Sequence, residues 1–271
     1  METKQYRRAL TIAGSDPSGG AGIQADLKTF SACGCYGMSA ITAVVDENTV
    51  SVHGVHPIPE AFVAGQIRSV LDDIGADAVK IGMLHSSELI RTVVSTLDRY
   101  GIRNIVLDPV MVATSGDPLL NENAVATLRD EAVPWARVIT PNIPEAELLL
   151  GRRIGDQSEL PDVARELSLG GRVSVLLKAG HLHDEELIDI FYNAESDRIL
   201  PLRSRRISTP NTHGTGCTLS SAVAAFLAKG YGLDDAVTAA KNYIDAAIRA
   251  GAEYRIGRGH GPVHHFHDFW Q

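Results

Sequence analysis

Asn211-Thr212-His213-Gly214-Thr215-Gly216-Cys217-Thr218-Leu219-Ser220-Ser221-Ala222 is a glycine-rich turn that runs straight into an apolar, alanine-rich segment of helical spacing, about four turns long. A helix that starts this way points several unpaired backbone N–H groups in one direction, and its dipole favours negative charge there. Cys217 falls in the first turn, where the same field is expected to stabilise a thiolate. One short segment thus offers an anion hole and a candidate base, as a phosphoryl-transfer site requires. The same residues also read as a tight turn, a cap and a small buried cysteine, so the surroundings decide.

Outward from this segment, strand-like and helix-like stretches alternate. Ala9–Ala13 reads as a buried strand, followed by a glycine-rich loop and a helix over about Ala21–Ala32. Ser39–Val45 is a second β-rich run, and Glu60–Ile74 carries Phe62, Val63, Ile67, Val70, Leu71 and Ile74 at helical spacing. Ala78–Ile81 is a strand, Ser87–Tyr100 is amphipathic, and Asn104–Leu107 is a strand ending at Asp108-Pro109. Val138–Thr140 is a short strand closed by Pro141-Asn142. Glu159–Gly170 is helical, Val173–Leu177 is a strand ending at Lys178, and Leu187–Tyr192 with Arg198–Leu200 forms a hairpin. Two helices follow, near Cys217–Lys229 and Leu233–Ala250. Such alternation predicts an α/β fold with a central, mostly parallel sheet flanked by helices on both faces. No linker, repeat or low-complexity stretch divides it, so residues 1–271 are expected to form a single domain.

Composition narrows the partners. A 44% hydrophobic content suffices for a large core, and the formal charge of -8 comes without any basic run, which disfavours nucleic acid. No apolar run approaches the roughly 18 residues of a membrane span. Met1–Arg8 is short and polar and does not read as a signal peptide. Cys33, Cys35 and Cys217 form no disulfide framework and no zinc pattern, which fits packing roles and a reducing cytoplasm.

In parallel sheets, ligands gather at the carboxyl ends of the strands. The polar residues there are Gly14-Ser15-Asp16, Asp46-Glu47-Asn48, Gly82-Met83, Asp108, Asn142 with Glu145, Lys178 and the Gly214–Cys217 turn. The loop Gly14–Gly22 lacks both the G-x-G-x-x-G spacing and the P-loop pattern, so it predicts neither a Rossmann oxidoreductase nor a P-loop enzyme. It either lets backbone approach a small substrate or is an ordinary turn. Asp108 reads as a Mg²⁺ ligand or a turn cap. Glu145, in the first turn of a helix begun by Pro144, reads as a phosphate-site acid or as a complement to the dipole. Lys178 ends an apolar strand, where a lysine needs an anionic partner or snorkels to the rim. His260, His264, His265 and His267 match no standard metal spacing and are expected to be structural.

Several of these motifs together resemble the ribokinase-like superfamily and, within it, the hydroxymethylpyrimidine/phosphomethylpyrimidine kinases. The carrying segments are Ala13–Thr29, Lys80–Leu84, Leu107–Met111, Thr140–Glu145, Asn211–Cys217 and the tail Gly259–Phe266, which together span almost the whole chain. The resemblance implies a ribokinase-like sheet and an ATP- and Mg²⁺-dependent kinase of thiamine biosynthesis. Such a kinase phosphorylates 4-amino-5-hydroxymethyl-2-methylpyrimidine and then its monophosphate. It implies Cys217 as general base, where sugar kinases of the superfamily carry Asp, and the amides of Gly214, Thr215, Gly216 and Cys217 as the anion hole. Asp108 and Glu145 would organise Mg²⁺, with Asn142 and Lys178 also at the nucleotide phosphates. The pyrimidine would lie against Gly14, Asp26, Val45, Met83 and Val110, with its polar edge at Glu47. Some well-known members have Gln at that position; an ionised Glu only accepts hydrogen bonds, so Glu47 would need a protonated ring nitrogen or a proton of its own. A homodimer is expected by the same resemblance, and a loop within Thr114–Leu120 is expected to close over the substrate. The competing readings are a pyridoxal kinase of vitamin B6 salvage, which uses the same Gly-Thr-Gly-Cys-type turn, and a non-catalytic pyrimidine-binding module.

Overall fold

The computed structural model describes residues 4–111, 122–182 and 185–270. Along the chain they form β1 (Arg8–Ala13), α1 (Gly22–Ala32), β2 (Tyr36–Ile41), β3 (Ala43–Glu47), β4 (Val52–Pro57), α2 (Glu60–Asp73), β5 (Ala78–Ile81) and α3 (Ser87–Asp98). Then come β6 (Ile105–Leu107), α4 (Glu122–Thr127), β7 (Val138–Ile139), α5 (Ile143–Leu150), α6 (Leu160–Leu167) and β8 (Ser174–Leu177). The chain closes with β9 (Glu186–Asn193), β10 (Arg198–Arg205), α7 (Thr215–Ala228) and α8 (Leu233–Gly251). The segment Thr114–Leu120 lies outside the described residues.

Eight strands make one sheet in the order β10-β9-β8-β7-β6-β5-β1-β2. The run from β2 to β8 is parallel, and β9 and β10 add an antiparallel edge. The central strands are buried on both faces, which is why they read as unbroken apolar runs rather than alternating ones. Their side chains nevertheless alternate between two cores. Leu10, Ile12, Val79, Ile81, Ile105, Leu107 and Ile139 pack with α2, α3, α5 and α6, while Ala9, Ala78, Val106, Val138 and Leu176 pack with α1, α7 and α8. The expected three-layer α/β architecture is what forms.

The β-rich run Ser39–Val45 does not form one strand. Thr42 breaks it: its N–H donates to the Ala13 carbonyl and its hydroxyl to the Met83 carbonyl, both at 2.9 Å, so β2 stays in the main sheet. Beyond Thr42, β3 leaves the main sheet and pairs antiparallel with β4 as a separate two-stranded flap. The flap stands over the end of β1, held by Ser15 N–H to the Ala43 carbonyl at 2.9 Å. Val44 and Val55, on opposite faces of the flap, are exposed.

Candidate active site

A cavity of about 720 Å³ runs along the carboxyl ends of the parallel strands. Gly14, Val45, Glu47, Met83 and Val110 line one end, the turn Gly214–Cys217 lines the middle, and Asp108, Asn142, Glu145 and Lys178 line the other. Of the residues that the resemblance places at the site, Asp26 is not on this wall. It lies fully buried below it, with Lys80 Nζ at 2.9 Å from both carboxylate oxygens and the hydroxyls of Thr11 and Ser221 donating at 2.6 and 2.7 Å. This buried pair, completed by two hydroxyls, ties β1, α1, β5 and α7 together.

The central turn depends on backbone packed against backbone. Gly214 sits at φ +75°, and a Cβ there would run into the Gly20 carbonyl. Gly22, at φ +55°, would place a Cβ 2.6 Å from the Gly14 carbonyl. The two glycine-rich loops can therefore meet only as glycines. At the start of α7 the amides of Gly214, Gly216 and Cys217 donate to no acceptor among the described residues. The Thr215 amide is committed to the Thr212 carbonyl at 3.2 Å, which narrows the hole expected from sequence.

The Cys217 thiol departs from expectation. The helix N-terminus was expected to lower its pKa, yet burial pushes it up to about 12. Lys80 opposes that shift, the charges of Asp26 and Asp108 reinforce it, and the Gly22 amide opposes it as a hydrogen-bond donor. Desolvation between two carboxylates outweighs a half-charge at a helix end.

At the Lys178 end, Asp108 is buried at the end of β6. Its Oδ1 accepts from Thr140 Oγ1 at 3.0 Å and Lys178 Nζ at 3.2 Å, and its Oδ2 from Ser220 Oγ at 3.2 Å. Burial opposes ionisation, but Lys178 and Lys80 overcome it and hold the carboxyl below its ordinary range. Glu145 caps α5 in a reciprocal box with Asn142, at 2.8 and 2.9 Å. Its carboxylate also stands 4.0 Å from Lys178. Glu145 thus caps α5 and also lies on the cavity wall. Burial pushes its pKa up; Lys178 opposes that, and Asp108 reinforces it.

At the opposite end, Val45 and Met83 pack with Ala43, and Val110 joins them, to make an apolar slot beside Gly14. Glu47 closes it. Behind Glu47, the buried Asp16 binds His213 Nε2 at 2.9 Å, and the polar atoms of Asp16, Glu47 and His213 lie within 4.8 Å of one another. Burial pushes the Glu47 carboxyl up to about 7, and the Asp16 charge adds to the shift.

Sequence reasoning missed the Asp16–His213 pair, because its members lie 197 positions apart. It also missed Lys80, on the cavity floor, and Lys241 of α8, on the far wall between Asp189 at 3.0 Å and Asp245 at 2.9 Å. The histidine tail is structural among the described residues. His265 bonds the Thr218 hydroxyl at 3.0 Å and burial pushes it down to about 3, while His264 packs against the Tyr254 and Trp270 rings.

The family model described as phosphomethylpyrimidine kinase matches residues 16–264. The chain belongs to that family. The kinase is 51% identical over 264 residues to the hydroxymethylpyrimidine/phosphomethylpyrimidine kinase of Rhizobium meliloti (strain 1021), covering 97% of this chain and 98% of that protein. Its fold matches an ADP complex of Bacillus subtilis pyridoxal kinase with a TM-score of 0.88 at 40% identity, over 96% of this chain and 98% of that one. It matches the phosphomethylpyrimidine kinase of Clostridium difficile 630 with a TM-score of 0.78 at 44% identity, over 89% and 99% of the two chains. It is a phosphotransferase of ribokinase-like fold.

Proposed function

We propose that the kinase transfers the γ-phosphoryl of ATP to the hydroxymethyl oxygen of 4-amino-5-hydroxymethyl-2-methylpyrimidine, and then phosphorylates the monophosphate to the pyrophosphate, in thiamine biosynthesis. One observation carries this reading. A single cavity sets an apolar slot with a polar stop at one end, a Lys–carboxylate cluster at the other, and a glycine turn with free amides and a thiol between them. The ring lies in the slot formed by Gly14, Val45, Met83 and Val110, with its amino edge at Glu47. Asp26 supports the slot from below through Lys80 rather than touching the ring.

In each transfer the acceptor oxygen bonds to the γ-phosphorus and the bond to the bridging oxygen of ADP breaks; in the first the alcohol proton leaves, whereas in the second the accepting phosphate oxygen is already ionised. The amides of Gly214, Gly216 and Cys217 face the charge on the transferring group, with Thr215 shaping the turn. Cys217 takes the hydroxyl proton, its thiolate favoured by Lys80 and the Gly22 amide. Burial opposes that thiolate and leaves it a minor form at neutral pH, so most of the acceleration comes from positioning and charge neutralisation, as suits a loose transition state.

The nucleotide end fits a divalent cation. Asp108 and Glu145 set two carboxylates against Lys178, and burial, with the Asp108 charge adding to it, raises the Glu145 pKa against the pull of Lys178. Asp108 and Glu145 would hold Mg²⁺, which supplies charge neutralisation at the phosphates. Asn142 fixes Glu145 through the cap. We place the kinase in the cytoplasm: among the described residues no helix is long and apolar enough to cross a membrane, and all three cysteines are free.

The pyridoxal kinase reading rests on the Bacillus subtilis neighbour. ADP release with Mg·ATP and either the pyrimidine alcohol, its monophosphate or pyridoxal as acceptor separates the two. Faster turnover of both pyrimidines supports the thiamine reading, and turnover confined to pyridoxal defeats it.

A further inference from the structure

We propose that Asp16, His213 and Glu47 act as one proton-sharing unit that selects aromatic acceptors carrying an amino group beside a ring nitrogen, with a single proton held between Glu47 and that nitrogen. This rests on the pyrimidine reading above.

The unit begins with Asp16. Its buried carboxylate accepts from the Ser18 amide at 2.7 Å, the Ala21 amide at 2.6 Å, the Ser18 hydroxyl at 3.0 Å and His213 Nε2 at 2.9 Å. Burial works against its charge, but these four donors outweigh it and hold the carboxyl well below the usual range. His213 is fixed by its own amide, which donates to the Gly261 carbonyl at 3.0 Å, and by the Gly20 backbone against its ring. Desolvation opposes protonation of the imidazole; the Asp16 carboxylate, followed by Glu47, prevails and raises its pKa. Asp16 and His213 therefore form a matched ion pair.

Glu47 is the third member and has no counter-charge of its own. Two carboxyl groups and one imidazole crowd within 4.8 Å, and the carboxyl with the hydrogen-bond donors, Asp16, keeps the negative charge. The other charged or titratable groups around the flap point elsewhere. Asp46 is exposed on the opposite side of the strand, His53 bonds the Asn48 side chain, and His56 is exposed on β4. Lys28 binds the Gly19 carbonyl, Arg258 is exposed, and His260 is held by the Thr49 and Pro210 carbonyls. Burial pushes the Glu47 carboxyl up to about 7, so near neutral pH it exchanges readily between its protonated and ionised forms, and below that its proton is bound.

A neutral carboxyl has one O–H donor and one carbonyl acceptor side by side. It matches a ring nitrogen flanked by an amino group, which offers one acceptor and one donor. If the proton moves to the ring, the carboxylate meets two N–H donors instead, and the pair still holds one proton. A ring without the amino group leaves the Glu47 carbonyl oxygen unpaired, an error that hydrogen-bonding sites reject strongly. Above its pKa, an unprotonated Glu47 facing an unprotonated ring has no hydrogen to share.

Calorimetric binding of the pyrimidine alcohol to the whole protein without nucleotide, from about pH 6 to about pH 8.5, tests this. The wild type is expected to weaken by about 30-fold across that range and to take up about one proton on binding at the alkaline end. Glu47→Gln, which carries a permanent donor and acceptor, is expected to bind with no such dependence. Carboxyl-carbon NMR of the wild-type protein alone is expected to show Glu47 titrating near 7. A pH-independent wild type, a Glu47→Gln protein with the wild-type pH profile, or a Glu47 midpoint in the ordinary carboxylate range overturns the unit. Failure to bind the pyrimidine at any pH, with Glu47 still titrating near 7, overturns the ring selectivity together with the pyrimidine reading.

Discussion

The two ends of the cavity are built from the same parts and poised differently. Each sets two carboxyl groups around one cationic side chain: Asp108 and Glu145 around Lys178, Asp16 and Glu47 around His213. In each, the carboxyl with more hydrogen-bond donors keeps its charge, and the other is pushed upward by burial, helped by its neighbour's charge. At the nucleotide end the cation is a lysine, and the surplus negative charge suits a metal ion. At the ring end the cation is a histidine, and the surplus suits a proton. Lys80 and Asp26 beneath the cavity are the control: one cation, one carboxylate, two added hydroxyl donors, and no surplus. Surplus acid faces ligand, and matched charge holds the fold.

The largest effect should come from breaking the charged end. Asp108→Asn removes the carboxylate that anchors Lys178 and is expected to lower kcat by about 10³-fold, with pyrimidine affinity within about threefold of wild type; steady-state kinetics and calorimetry check both. Removing half of the matched pair instead should cost stability. Lys80→Met leaves Asp26 buried without its counter-ion and is expected to destabilise the protein by about 3–5 kcal/mol in urea titration. Cys217→Ala is expected to lower kcat by about 10²-fold while retaining pyrimidine binding. Wild-type-like turnover in that variant would remove the thiol from the reaction.

The smallest effects sharpen the account. A Cys217 thiol pushed from 9.0 to about 12 has about 10³ less thiolate at neutral pH than an unperturbed one. Its alkylation by iodoacetamide should be slower than that of a free thiol, by a margin that mass spectrometry of the Cys217 peptide can time. Glu145→Gln should raise the melting temperature of the nucleotide-free kinase at pH 8 by a few degrees. The sign follows from linkage. A carboxyl whose folded pKa is raised contributes stability below its unfolded pKa and loses it as pH rises through the folded value. At pH 8 the glutamate therefore costs stability, and the glutamine, which can still accept the Asn142 amide, does not. An unchanged or lower melting temperature would mean that Glu145 is ionised at little cost, and that the two ends are not alike.

Much of this was legible in the chain because chemistry sits at the ends of regular elements. Asp108, Lys178 and Gly82-Met83 each follow a short apolar strand, Glu145 follows Pro144, and Cys217 follows two glycines. Local spacing marks such places. The break at Thr42 was hidden because Ser39–Val45 is continuously β-prone, and only hydrogen bonds to Ala13 and Met83 turn the chain there. Lys241 was hidden because a lysine in the middle of an amphipathic helix looks like any solvated one. The thiol was misjudged because a helix end is visible in sequence, whereas its burial, and the charges of Asp26 and Asp108 brought in from α1 and the end of β6, are not.

The central claim is that one cavity performs both transfers on one pyrimidine. Phosphorus NMR of a single reaction with Mg·ATP and the pyrimidine alcohol tests it directly. The account predicts that the monophosphate rises first and then gives way to the pyrophosphate as two ADP form per pyrimidine. A reaction that leaves the pyrimidine unphosphorylated while pyridoxal is consumed under the same conditions would contradict it.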